Sequence, residues 1–104
     1  MASDPVLAVL RNRLPEACFS TEVAASLGAD VEQVEEILRE LQGGGAVYLE
    51  EFSPPDPHFP RLLVASSVDP ILPTPEAQEA ARRRVQQAYQ RWLREVLATH
   101  RCIG

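Results

Sequence analysis

A helix stop and a helix start stand almost back to back in this chain, with Gly28 closing one short segment and Asp30 opening the next. Glycine takes the left-handed conformation that ends helices, and aspartate favours the N-cap. Two helices joined by so tight a turn must bury their apolar sides on a shared core. On the N-terminal side, Ser20 begins a short helix with Val23, Ala24 and Leu27 inward. On the other side Val31, Val34, Ile37, Leu38 and Leu41 recur at helical spacing. Asp30 with Gln33 makes a variant capping box, and Gly43-Gly44-Gly45 ends the element.

The remaining punctuation organises the chain around this pair. Ser3 or Asp4 caps a first helix with Pro5 in its first turn; Val6, Leu7, Val9, Leu10 and Leu14 form its apolar side, and Pro15 ends it. Residues 46–52 (AVYLEEF) and 61–68 (RLLVASSV) read as strands. Between them SPPDPHFP holds four prolines in eight residues, which excludes helix and predicts a hairpin with a stiff, exposed tip and Phe59 near its base. Residues 69–74 form a linker. Thr74 then caps a long helix, with Pro75 at its first position and Val85, Ala88, Tyr89, Trp92, Leu93, Val96 and Leu97 along one side.

Composition bounds the class. At 104 residues, 45% hydrophobic and 24% charged, the chain is one globular domain rather than a disordered one. No run approaches the roughly 18 apolar residues that span a bilayer, and the N-terminus lacks the basic region of a secretory signal. A cytoplasmic protein without membrane partners is expected. Cys18 and Cys102 are too few for a disulfide framework and read as free thiols. All ten basic residues are arginine. Residues 1–70 hold four of them against twelve acids, a net of −8, whereas residues 71–104 hold six against three, a net of +3. Such an asymmetry suggests that the two parts interact, within or between chains, or face different partners.

In order, the elements are helix, helix, tight turn, helix, strand, loop, strand and long helix. The stretch STEVAASLGADVEQVEEILRELQGGGAVYLEE resembles the winged helix-turn-helix family: TEVAASLG is similar to the first helix of the motif, ADVEQVEEILREL to the second, and GGGAVYLEE to the strand that opens the wing. The resemblance implies an α+β, mostly α fold, with three helices and a two-stranded wing over residues 1–70. Residues 71–104 then supply a linker and a C-terminal dimerisation helix, as in small dimeric regulators of the PadR type.

That resemblance implies a DNA-binding transcriptional regulator whose second motif helix enters the major groove. It puts Glu32, Gln33, Glu35, Glu36 and Arg39 on the base-facing side. Gln33 suits adenine, Glu36 cytosine and Arg39 guanine. Yet residues 31–42 carry four Glu and one Arg, a net of −3, and affinity for phosphates requires cations. The cations would be Arg61 on the wing and Arg82 and Arg83 on the last helix, with Arg11, Arg13, Arg84, Arg91 and Arg94 in reserve. An acidic motif helix equally fits the second role known for winged helices, protein interaction without DNA. Both readings stay open.

A helix of about 26 residues extends roughly 39 Å, beyond the width of a 70-residue body. The stripe Val85, Ala88, Tyr89, Trp92, Leu93, Val96 and Leu97 is therefore expected to form a homodimer seam. Arg82-Arg83-Arg84 points in different directions around the helix and forms no single patch; Glu76 and Glu79 are local partners. His58, His100, Cys18 and Cys102 match no zinc spacing. No nucleophile motif, phosphate loop or paired acid is present, so neither an enzyme nor a cofactor is expected.

Overall fold

The computed structural model describes residues 3–55, 58–68 and 74–103. Residues 69–73 of the expected linker at 69–74 and residues Asp56 and Pro57 of the hairpin loop lie outside the described residues, as do the side chains of Ser3, Thr74, Leu97, Thr99, His100, Arg101, Cys102 and Ile103. Among the described residues the chain forms four helices and a three-stranded antiparallel sheet, in the order α1 (Ser3–Asn12), β1 (Cys18–Phe19), α2 (Ser20–Leu27), α3 (Val31–Gly43), β2 (Val47–Phe52), β3 (Leu62–Ser67) and α4 (Thr74–Ile103).

The tight turn forms as its residues dictate. Gly28 adopts φ +61°, where a Cβ would be strained, and its N–H closes the end of α2 onto the carbonyls of Ala24 and Ala25. At the other end of α2, the carboxylate of Glu22 reaches back to accept from the Phe19 N–H at 3.0 Å. Asp30 precedes α3 in extended conformation, but its side chain makes no capping hydrogen bond. The expected box of Asp30 with Gln33 is therefore not formed, and Gln33 stays exposed.

Two residues of β1 convert the expected two-stranded wing into a three-stranded sheet. Cys18 pairs with Ala65 and Phe19 with Val64, so β3 lies between β1 and β2. The hairpin register sets Val47 opposite Ser67 and Phe52 opposite Leu62. Side chains of a strand alternate between faces, and here both faces are covered. Cys18, Val47, Leu49, Leu63 and Ala65 join Val6 and Leu10 of α1, Val23 and Ala24 of α2, and Val34, Ile37 and Leu38 of α3 in one core. Phe19, Tyr48, Phe52 and Val64 look the other way, onto Val85 and Ala88 of α4.

The sheet is thus the middle layer, with α1–α3 on one side and α4 on the other. For Val85, Ala88 and Tyr89 of the α4 stripe this replaces the expected dimer seam with the chain's own sheet. Val85 is fully buried and Tyr89 nearly so within the single chain. Ala81 and Ala77, one and two turns before Val85, are buried too, and their small side chains let α4 approach the sheet closely. The ring of Tyr89 stacks on Phe52 at 4.1 Å between centroids. Trp92 sits edge-on to Phe19 at 6.4 Å and to Phe59 at 5.4 Å. The proline-rich loop therefore carries Phe59 back onto α4, while His58 and Pro60 remain exposed. Residues 74–103 form a layer of the same body as the preceding elements. Their 30 residues account for about 45 Å, close to the 47 Å longest extent of the molecule.

Candidate interaction surfaces

The outward side of α3 is the first candidate surface. With Val34, Ile37 and Leu38 turned to the core, the helix exposes Glu32, Gln33, Glu36, Arg39 and Glu40, and Glu35 is half-buried. Gln33, Glu36 and Arg39 of the sequence-derived set therefore share this surface. Gln42 anchors the end of α3 by donating from Nε2 to the Leu49 carbonyl at 3.3 Å.

The cations expected to complete a DNA face are not assembled around it. Arg61 lies where β3 begins, and its guanidinium is 3.8 Å from the Glu51 carboxylate. Arg82 and Arg83 belong to α4, on the opposite side of the sheet from α3, and both reach Glu79, at 3.1 and 3.4 Å. Arg13 pairs with Glu22 and Arg91 with Glu16, each at 2.9 Å. Exposed pairs of this kind contribute little stability, yet each acid cancels much of the far field of its arginine beyond a Debye length of about 8–10 Å. Arg84 faces inward: Nε donates to Ser66 Oγ at 2.7 Å and Nη2 to the Ser67 carbonyl at 2.8 Å. The proposed set of Gln33, Glu36, Arg39, Arg61, Arg82 and Arg83 thus divides between two sides of the molecule.

The outer side of α4 is the second surface. Arg83, Gln87, Gln90 and Arg94 are exposed at i, i+4, i+7 and i+11, and with Gln86 and Arg91 they line one shallow depression. No acid falls within this group. Its arginines were singled out from the sequence, but the glutamines between them were not, although their helical spacing was readable. Of the expected seam, Leu93 and Val96 are half-buried near the far end of α4.

The chemistry of reactive groups is muted. Burial pushes the Cys18 thiol up from 9.0 to about 11, against a smaller opposing effect of Arg13, so it is protonated at neutral pH. Tyr48 donates its hydroxyl to Glu50 Oε1 at 2.8 Å; burial and this carboxylate raise its pKa above the ordinary tyrosine value. Among the described residues no three His, Cys, Asp or Glu side chains come together to hold a metal ion. No helix among them is long and apolar enough to cross a membrane.

No family model and no curated protein matches the sequence. Among solved structures the chain is similar to a "possible transcriptional regulator" from Methanosarcina mazei Go1, with a TM-score of 0.52 over 92% of this chain and 72% of that one. Identity is 11%, so the likeness is one of fold.

Proposed function

We propose that the chain is a winged helix-turn-helix regulator of transcription, acting in the cytoplasm, in which α3 serves as a protein-contact surface. Support for the winged helix comes from the order α1-β1-α2-α3-β2-β3 with β3 central in the sheet. In this reading α2 and α3 are the helix-turn-helix and the β2–β3 hairpin is the wing. The structural neighbour, described as a possible transcriptional regulator, supports the regulatory role. The protein binds and carries out no reaction of its own.

The observation that carries the contact reading is the charge of α3. Four Glu and one Arg lie on the helix that a DNA-binding winged helix would press into the major groove. Nucleic-acid affinity comes chiefly from neutralised phosphates. Of the arginines outside α3 expected to supply that neutralisation, Arg13 and Arg61 are paired with carboxylates and Arg82, Arg83, Arg84, Arg91 and Arg94 stand on α4 across the sheet, which leaves Arg11 of α1.

Direct DNA binding is the second reading, favoured by Gln33 and Arg39, which are exposed on α3 and suited to adenine and guanine edges. Titrating the protein into labelled mixed-sequence duplex at low salt decides between the two. The contact reading predicts no complex at tens of micromolar protein, where even weak non-specific binders associate. A salt-sensitive complex that weakens in Arg39→Ala and Arg61→Ala would establish the DNA reading instead.

A further inference from the structure

The depression on the outer side of α4 is lined by arginines and glutamines alone and has no apolar floor. A second cleft, of about 200 Å³, lies between α4 and the segment that joins α1 to α2. Its floor is apolar, made by Ala17 and Phe19 on one side and by Ala88 and Trp92 on the other. Ala17 is buried, whereas Phe19, Ala88 and Trp92 are half-buried, so two aromatic rings stay partly open to a ligand. The edges of Phe19 and Phe59 meet Trp92 at 6.4 and 5.4 Å between centroids, which fixes the indole in place. None of these residues belongs to the α3 surface.

The rim of the cleft is charged. Arg13 pairs with Glu22 and Arg91 with Glu16, each at 2.9 Å, and Glu22 also accepts from the Phe19 N–H. Glu95 is the fifth charged group, so three carboxylates stand against two guanidiniums, a net of −1. An anion entering here would have to compete with the carboxylates already bound to both guanidiniums. A cation meets a net negative rim and an indole, the aromatic ring whose face attracts cations best.

We infer that this cleft binds a small aromatic amine in its protonated form, with the ring on the floor of Trp92 and Phe19 and the ammonium at the carboxylate rim. Size selects a single ring or two fused rings, because sites for drug-sized ligands are larger, at about 300–1,000 Å³. An alkyl amine has a pKa near that of lysine, about 10.4, and is a cation at neutral pH. Solvent screens the exposed rim charges, so discrimination by charge is moderate and strongest at low salt.

Trp92 is the single tryptophan of the chain, so its fluorescence reports the cleft directly. Phenethylamine, 2-phenylethanol and phenylacetate carry the same ring with a positive, a neutral and a negative group. Excitation at a wavelength that none of them absorbs isolates the indole. At low salt phenethylamine should change the emission saturably, with a Kd of about 1 mM or tighter, and bind at least about tenfold more tightly than phenylacetate. In nuclear magnetic resonance spectra the methyl signals of Ala17 and Ala88 should shift, while those of Ala77 and Ala81, earlier on α4 and outside the cleft, should not. Glu95→Gln, at an exposed position, brings the rim to neutrality. It should weaken phenethylamine at least about threefold and leave 2-phenylethanol unchanged. Four results would each overturn the inference: no saturable change up to about 10 mM amine, phenylacetate bound as tightly as the amine, shifts spread evenly over the four alanines, or an amine affinity that Glu95→Gln leaves untouched.

Discussion

Arg84 and Ser66 are 18 residues apart in sequence and 2.7 Å apart in space, the guanidinium of α4 donating to the hydroxyl of the central strand. Ser66 is almost fully buried, and the same guanidinium also serves the Ser67 carbonyl. The run Arg82-Arg83-Arg84 is thereby divided by helical geometry: the first two pair with Glu79 outside, and the third ties α4 to β3. A buried hydroxyl and carbonyl lose a charged donor if that residue is removed.

Arg84→Met keeps the aliphatic stem and deletes the donors. It should lower the unfolding free energy by about 1–3 kcal/mol, the usual range for a hydrogen bond to a charged group. Urea denaturation would read this as a lower midpoint at unchanged slope. Ser66→Ala should cost less, and the double variant should be non-additive, because one partner's removal already breaks the contact.

Val85 separates an intramolecular layer from a dimer seam. A seam residue changed to aspartate leaves a folded monomer, whereas a core residue so changed leaves no stable fold. Because Val85 is fully buried against Ala17 and Val64, Val85→Asp should cost more than about 3 kcal/mol. Thermal unfolding of dilute protein checks it. Tyr89→Ala, which removes the ring stacked on Phe52, should cost about 3 kcal/mol or more at any protein concentration.

The parts of this arrangement that were legible in the sequence are those with a local cause. Gly28 ends α2 because only a residue tolerant of positive φ fits there, and the period of Val31, Val34, Ile37 and Leu38 marks one side of α3. β1 was not legible, since two residues cannot display an alternation. The cover of α4 was not legible either. The spacing of Val85, Tyr89 and Trp92 is the same whether the stripe meets a second copy or the chain's own sheet. A signal that could have decided the matter was present in Leu63-Val64-Ala65. An uninterrupted apolar run marks a strand buried on both faces, and only α4 was left to cover the second one. The candidate site divided similarly: Gln33, Glu36 and Arg39 follow from helical spacing, whereas the separation of Arg82 and Arg83 from them depends on which side of the sheet α4 takes.

Cys18 should be inert in the native protein. Its thiol is held at about 11 by burial, so in a Cys102→Ser background a thiol reagent at pH 8 should label it only at the rate of unfolding. The raised pKa also sets a pH dependence. The folded state favours the protonated thiol, so this contribution to stability is complete below the unfolded value near 9.0 and is lost as pH rises towards about 11. Comparing denaturation midpoints of Cys18 protein and Cys18→Ala between pH 7 and 10.5 should show the wild type losing the larger share.

The measurement that bears most directly on the acidic α3 face is a gain of DNA binding. Glu32→Arg, Glu36→Arg and Glu40→Arg together replace three negative charges by positive ones at exposed positions while keeping high helix propensity. In a low-salt anisotropy titration against mixed-sequence duplex, the wild type should show no complex at tens of micromolar protein. The triple variant should bind with an affinity that falls as salt rises. A wild type that binds duplex as tightly as the triple variant would contradict the assignment of α3 to protein contact.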